Sequence, residues 1–362
     1  MTRRVVLAGA GGYGRSYLRE IAELERAGLV ELAGVCETAR LDEEARRLVG
    51  NRPVTADLPG LLAATRPDLA VVATPIHTHA ELAGAVLDAG AHLMLEKPPV
   101  ATLRGWHALR KAVADRGLAC QVGFQSLGSG AVASLAAMVR QAELGSIRGI
   151  SVSGAWSRTD AYYRRAPWAG RRVLDGRPVV DGALTNPFAH AVATALVVDG
   201  STGVDDVVSC EAELWRCRDI EADDTSCLRL RTARGTTIVV AVTLCAERES
   251  EPVLVVHCSR GRAELAYTGD VLTIDGRARR YERVSPLRNL LSHLDDPAVA
   301  LQSDVDLAGA FMRVLEAVRT APEPSRVPEV CLRREGERVV LPGVETLVAR
   351  AAERLATFRE LR

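Results

Sequence analysis

The stretch of this chain best suited to moving a proton is Leu93-Met94-Leu95-Glu96-Lys97-Pro98-Pro99. The run from His92 to Leu95 is apolar enough for a central strand of a parallel sheet. The two prolines continue neither a strand ladder nor a helix, so Glu96 and Lys97 fall at that strand's C-terminal end. Ligands bind at that end in open α/β sheets. A lysine held beside a carboxylate against dry walls can give and take protons near neutral pH. The same two residues would serve equally as a surface ion pair closing a strand, so the rest of the chain has to decide between these readings.

The first decision comes from the N-terminus. Arg3 to Ala8 reads as a strand, Gly9-Ala10-Gly11-Gly12-Tyr13-Gly14 follows at once, and an amphipathic helix continues through Leu18, Ile21 and Leu24. This is G-x-G-x-x-G between a strand and a helix, the context that makes the motif informative. Gly9 permits the turn, Gly11 lets a pyrophosphate approach the backbone, and Gly14 lets helix and strand pack closely. The helix N-terminus supplies free N–H groups and its dipole to the phosphates. The next apolar strand, Val30 to Cys36, ends in Glu37. An acid in that place hydrogen-bonds the ribose hydroxyls and repels a 2′-phosphate, which favours NAD over NADP, although Arg40 partly offsets the repulsion.

The elements that must position these groups follow in alternation. Helices are expected over 41–49, 58–64, 80–89 and 103–115, with strands at 69–73, 92–95 and 119–124. That is a doubly wound parallel sheet of Rossmann type, α/β in class, with a domain boundary near Gln125. Beyond about Ser146 the texture changes to successive strand patterns at 147–157, 207–217, 226–232, 236–244, 252–258, 262–267 and 271–275. Turns such as Ala233-Arg234-Gly235 separate them. Helical patterns return at 305–320 and 344–361. Residues 126–362 therefore read as an α+β domain built on an open, mainly antiparallel sheet.

Composition narrows the partners. Lys+Arg and Asp+Glu both number 46 in 362 residues, so no global field steers nucleic acid or an anionic membrane. No run of about 18 apolar residues is present, and no signal-like segment precedes the first strand; a soluble, cytoplasmic protein is expected. The eight cysteines form no C-x-x-C pair, which favours reduced buried thiols over disulfides or a metal site.

In the Gly9–Gly14 turn, Glu37, Ala73-Thr74-Pro75-Ile76-His77-Thr78-His79-Ala80 and above all Glu96-Lys97-Pro98, the chain resembles the glucose–fructose oxidoreductase, inositol dehydrogenase and rhizopine-catabolism (Gfo/Idh/MocA) family. The resemblance covers essentially the whole chain and is specific for the family, not for a substrate. It implies that Lys97 contacts the reacting hydroxyl, that Glu96 lies beside the nicotinamide ribose, and that Thr74, Pro75 and His79 join Gly9, Gly11, Gly12, Tyr13, Gly14 and Glu37 around the cofactor. Ile76 stands where many members carry Asn. The family also carries an Asp and a His four residues apart on a helix facing the nicotinamide. Here His190 matches the histidine, Asn186 stands in the aspartate's place, and Asp181 is the nearest carboxylate. An i, i+4 pair on one helical face would let one side chain orient the other, but Asn cannot stabilise an imidazolium as a carboxylate does. In the loop Tyr162–Arg172, Trp168 and Arg171 suit a sugar, the ring stacking on its apolar face and the guanidinium binding hydroxyls. The first-domain exit carries Gln125 without the arginine–aromatic pair common in the family.

The resemblance implies an NAD-dependent oxidoreductase acting on a secondary alcohol of a sugar, cyclitol or glycoside, with no metal and with a homodimer or homotetramer as the assembly. Two other readings stay open at this stage. One is a redox-neutral glycoside hydrolase or lyase that uses NAD transiently, and the other is a cofactor-binding regulator without catalysis.

Overall fold

Six short strands lie parallel in the first sheet of the computed structural model, which describes residues 2–361. They are β1 (Arg3–Ala8), β2 (Val30–Cys36), β3 (Val54–Thr55), β4 (Leu69–Val72), β5 (His92–Leu95) and β6 (Cys120–Val122). Helices α1 (Gly14–Arg26), α2 (Glu43–Val49), α3 (Leu58–Thr65), α4 (Ile76–Asp88) and α5 (Leu103–Arg116) connect them. The strand order is β3-β2-β1-β4-β5-β6. The order reverses between β1 and β4, the switch point where such sheets open a crevice for a dinucleotide. Every residue of β4 is buried, as a central strand covered on both faces requires. Asp42 and Asp57 cap α2 and α3, their side chains accepting from Ala45 N and Gly60 N, because the first amides of a helix have no partner within it.

Beyond β6 come α6 (Gly130–Arg140), β7 (Ile147–Ser157), α7 (Asp160–Arg164), the short pair β8 (Val173–Leu174) and β9 (Arg177–Pro178), and α8 (Ala189–Asp199). Seven successive strands follow, β10 (Val207–Arg216), β11 (Thr225–Thr232), β12 (Thr237–Thr243), β13 (Cys245–Cys258), β14 (Gly261–Ala266), β15 (Val271–Ile274) and β16 (Arg277–Arg280). The chain closes with α9 (Pro286–Asp295), α10 (Gly309–Thr320), β17 (Ser325–Arg326), β18 (Arg333–Glu335), β19 (Arg338–Val340) and α11 (Val344–Arg354). The second sheet has nine strands in the order β16-β15-β14-β13-β7-β12-β11-β10-β17. Most neighbours are antiparallel, but β7 runs parallel to β12 and β10 parallel to β17, so the sheet is mixed. On β12, Val239 and Ala241 pack with Val344, Val348 and Ala351 of α11. Ile238, Val240 and Val242, which point the other way, are buried as well; both faces are covered there.

Two compact units result. One comprises Met1–Val100, Arg104–Gly123 and Pro286–Val305; the other comprises Ala101–Leu103, Phe124–Ser285 and Asp306–Arg362. The division at 123/124 lies close to the boundary expected near Gln125, but the second part is not one continuous stretch. Helix α9 returns to the first unit, where Leu287, Leu290 and Leu291 join the core of Val5, Leu7, Leu18, Ile21 and Met94. Helices α6 and α9 are not among the expected elements, α11 ends seven residues before the expected 361, and β13 starts at Cys245 rather than 252. The Ala246–Glu251 run that opens β13 is mostly charged and exposed, so it lacks the apolar alternation by which a strand is recognised.

Candidate active site

In the first unit the expected residues gather at the C-terminal ends of β1, β4 and β5. Gly9 has φ +86°, and a Cβ there would lie 2.6 Å from Ala73 O. A Cβ on Gly14 would lie 1.9 Å from Gly9 O, so helix α1 meets the end of β1 at a distance only glycine allows. Gly11 is different, because nothing of the protein lies within 4 Å of its Cβ position. Two glycines are needed by the fold, and the third leaves open space beside exposed backbone at the start of α1. This is the arrangement a pyrophosphate needs, and the residues fit an NAD-type dinucleotide.

Glu37 is held rigidly at the end of β2. Its Oε2 accepts from Ala10 N at 2.8 Å, and its Oε1 from Thr38 N at 2.8 Å and Ala39 N at 2.9 Å. The contact with Ala10 ties the acid directly to the glycine turn. Thr74 and Pro75 lead into α4, and Thr74 Oγ1 pairs with Thr78 Oγ1 at 2.7 Å.

Glu96 is buried at the end of β5. Tyr17, in the first turn of α1, donates its hydroxyl to Glu96 Oε1 at 2.7 Å, and Lys97 N donates to Oε2 at 3.1 Å. A Cβ on Gly123 would sit 2.3 Å from Glu96 Oε1, so the carboxyl occupies the space that this glycine leaves. The Lys97–Pro98 peptide is cis.

His79, expected among the cofactor contacts, has another place. It is 1% exposed, with Nδ1 2.9 Å from Pro98 O and Nε2 2.7 Å from Thr74 O. Its ring clamps the loop after β4 to the loop after β5 and presents no free edge to a ligand. Burial pushes its pKa down, against the raising effect of the carbonyl contacts at Thr74 and Pro98. The resemblance implied a cofactor contact for this histidine, but both of its ring nitrogens face backbone carbonyls of the two loops instead.

In the second unit, His190 lies in the first turn of α8, but Asn186 lies before the helix, whose N-cap is Phe188. Pro187 disfavours helical backbone at Asn186. Asn186 and His190 therefore do not share one helix. Asn186 Nδ2 instead donates to Asp181 Oδ1 at 2.5 Å. Asp181 Oδ2 accepts from Gly170 N at 2.7 Å and lies 3.5 Å from the Arg165 guanidinium. One turn downstream of His190 on α8 lies Thr194. Thr194 Oγ1 donates to Ser126 Oγ at 2.9 Å, and Ser126 Oγ lies 3.3 Å from His190 Nδ1. Phe124 meets the same ring edge-on at 6.0 Å.

The turn carrying Asp181 and Asn186 rests on Asp223. Ala183 N donates to its carbonyl at 2.9 Å, and Ser226 Oγ donates to its carboxyl at 2.6 Å. A Cβ on Gly182 would lie 1.8 Å from Asp223 Oδ1, and burial raises the pKa of this carboxyl.

Of the expected substrate residues, Arg171 is paired with Glu221 at 3.0 Å and half its side chain faces solvent. Arg165 takes the place expected of Arg171, with its guanidinium carbon 3.6 Å from the Tyr162 centroid and 4.5 Å from that of Trp168. Arg158 continues the series between Tyr162 and Trp156, and Trp156 stacks on Phe188 at 4.3 Å. Gln125 opens the short helical turn Gln125–Gly128, which also carries Ser126. Arg165, Ser126, Thr194, Tyr17 and Asp223 escaped the sequence reading. Only Arg165, three residues before Trp168 in a loop, left a local signal.

Residues 3–124 match the oxidoreductase family with an NAD-binding Rossmann fold, and residues 132–264 match the GFO/IDH/MocA C-terminal domain. The chain belongs to the Gfo/Idh/MocA oxidoreductase family. Its first unit carries that family's NAD-binding Rossmann fold, as expected from the glycine turn. Among characterised relatives, it is 30% identical over 164 residues to levoglucosan dehydrogenase of Pseudarthrobacter phenanthrenivorans, a match covering 44% of this chain and 40% of that protein. It is also 30% identical over 120 residues to 4-carboxy-2-hydroxymuconate-6-semialdehyde dehydrogenase of Sphingobium sp., covering 33% of this chain and 38% of that one. The chain thus matches about two fifths of the length of these curated relatives. The WlbA dehydrogenase of Bordetella pertussis, solved with NADH and UDP-GlcNAcA, superposes with a TM-score of 0.73 at 23% identity over 91% of this chain and 99% of that one. A levoglucosan dehydrogenase solved with NADH gives 0.70 at 19% identity, over 90% and 100%. At these identities the likeness is one of fold. No helix among the described residues is long and apolar enough to cross a membrane.

Proposed function

We propose that this member of the family is an NAD-dependent dehydrogenase acting on a secondary alcohol of a sugar, cyclitol or glycoside. The observation that carries the reading is Lys97 at the end of β5, flanked by a buried glutamate that Tyr17 of the cofactor-turn helix holds in place. NAD, when bound, accepts or returns the hydride. The chain's own residues handle the proton and the fit. Lys97 polarises the oxygen of the reacting alcohol or ketone, and His190 exchanges its proton. Nε2 is the nitrogen that does so, because Ser126 faces Nδ1. Asp181 and Asn186 act as a hydrogen-bonded unit that positions hydroxyls, Asp181 tempered by Arg165. The Trp168–Arg165–Tyr162 stack suits a polyhydroxylated ring, with aromatic faces for its C–H groups and a guanidinium for its oxygens. Gln125 adds an amide. The similarity to levoglucosan dehydrogenase supports this substrate class, and the Glu37 cradle supports NAD over NADP.

Proton NMR of the purified protein with NAD and a panel of polyols, sugars and glycosides tests the reading. Reduced cofactor growing in step with a keto product is the expected result. Release of aglycone while NAD stays oxidised would replace it with redox-neutral glycoside cleavage. Lys97→Ala should keep NAD binding and lower turnover by at least ~10²-fold, the range of a lost acid–base group; near-wild-type turnover would sink the assignment of Lys97.

A further inference from the structure

A cluster that the proposed reaction does not use lies in the core of the second unit. The Cys217 and Cys245 sulfurs and a carboxylate oxygen of Asp224 all lie within 4.8 Å of one another. All three residues are buried, and Asp224 is fully so. They come from three places in the sheet, namely the residue after β10, the residue before β11 and the first residue of β13. Val339 packs on the two cysteines, with Val327, Leu332 and Leu341 around them. The Tyr163 hydroxyl is also buried and has no hydrogen-bond partner among the described residues. The Arg218 guanidinium carbon lies 5.2 Å from the Tyr163 ring centroid, and Arg218 N donates to the Asp224 carboxylate, so the ring borders the same cluster. An unsatisfied hydroxyl in a dry setting is costly unless something meets it.

We propose that Cys217, Asp224 and Cys245 bind a structural zinc ion, with the Tyr163 hydroxyl at its border. The donor set is two sulfurs and one oxygen, which suits a borderline-soft tetrahedral cation and disfavours magnesium or calcium. Zn–S bonds of about 2.3 Å set tetrahedral sulfurs about 3.8 Å apart, which the observed spacing accommodates with small side-chain movements. Charge also balances. Two thiolates and a carboxylate against a dication leave one negative charge, and the buried Arg218, whose backbone N donates to the Asp224 carboxylate at 3.1 Å, carries the opposite charge beside it. Binding would displace two thiol protons to solvent, with no change of oxidation state. Backbone amides of Cys217 and Arg218 already donate to the Asp224 carboxylate at 2.9–3.1 Å, so one ligand is oriented in advance. The absence of a C-x-x-C pair hid the set from the sequence, because its members meet only when β10, β11 and β13 enter one sheet.

The position gives the ion a purpose. Asp224 follows Asp223, whose carboxyl underlies the turn of Asp181 and Asn186. The 217–224 loop also donates from Glu221 N and Ala222 N to Gly170 O, and Gly170 N donates to Asp181. Fixing this loop to β13 fixes the floor of that turn.

The test is metal uptake by the intact protein. Metal-free protein is titrated with Co(II), and the thiolate-to-cobalt charge-transfer band is followed; zinc content after expression is measured by mass spectrometry of the native protein. One equivalent per chain is expected, with the band abolished by Cys217→Ser and by Cys245→Ser and kept by Cys210→Ser. Zinc should raise the melting temperature and chelation lower it. The wild-type spectrum alone decides the case if the serine variants fail to fold. No stoichiometric uptake would overturn the proposal. So would a Cys217–Cys245 disulfide in protein purified without reductant and treated with chelator before and during peptide mapping, if reduction then yields no metal binding.

Discussion

Gly14→Ala and Gly11→Ala separate what the glycine turn does for the fold from what it does for a ligand. At Gly14 the new Cβ starts 1.9 Å from Gly9 O, where at least 3.0 Å is required. The start of α1 must therefore move about 1.1 Å away from the end of β1. Overpacking of this kind costs about 1–3 kcal/mol, offset by up to ~1 kcal/mol of helix propensity, so a net loss of roughly 1–2 kcal/mol is expected in urea unfolding. A displacement of about 1 Å in positioned groups costs on the order of 10²-fold, and NADH affinity should fall accordingly. At Gly11 nothing lies within 4 Å of the added methyl, so stability should stay within about 0.5 kcal/mol of wild type. The methyl nonetheless occupies the side from which a pyrophosphate approaches, and NADH affinity should still fall at least ~10-fold. Unfolding midpoints and fluorescence titration with NADH read both quantities. Wild-type affinity in Gly11→Ala, or loss of stability and affinity together in that variant, would refute the division of labour.

Three further outcomes follow from the same geometry. Glu37→Ala removes the fixed charge at the ribose end of the cradle, and the NADP-to-NAD ratio of dissociation constants should improve at least ~10-fold, since unit charges about 4 Å apart interact by several kcal/mol at protein-surface dielectric; an unchanged ratio would show that Glu37 does not face the ribose. Thr194→Val keeps shape but withdraws the hydrogen bond behind Ser126, so kcat should fall roughly 5-fold for a lost bond of about 1 kcal/mol, with KM little changed; a KM effect alone would remove Thr194 from the positioning of His190. His79 is held neutral by burial, so the unfolded chain gains a proton below about pH 6.5 that the folded ring resists. Its contribution to stability is present above that pH and lost as pH falls towards the folded pKa. In His79→Ala the acid-side slope of urea-derived stability should be shallower, though His92 and His257, also held below their ordinary values, keep it from vanishing.

The Rossmann unit was legible because its signals are local. A strand, a glycine turn and a helix follow one another within the first 26 residues, and each glycine's role depends on neighbours close in the chain or on the next strand. Glu37 and Glu96-Lys97 were found for the same reason, since residues at strand ends inherit their place from the strand. The second unit was harder to read. Strand patterns there were recognisable singly, but the parallel pairing of β7 with β12 joins segments far apart in sequence, and no local pattern announces it. Asn186 and His190 were expected on one helix, but spacing fixes a shared face only if a helix spans both residues, and α8 begins after Pro187. The groups that hold the candidate site, namely Tyr17 on Glu96, His79 across Thr74 and Pro98, Ser126 and Thr194 beside His190, and Asp223 beneath Gly182, were invisible as partners. Their energies depend on burial and on distances between remote segments, and those exist only after the sheets have formed. The sequence by itself determined the family, the cofactor cradle and the place of the lysine. The tertiary structure decided which side chains orient them, because a hydrogen bond is a property of two atoms in space and not of two positions in a chain.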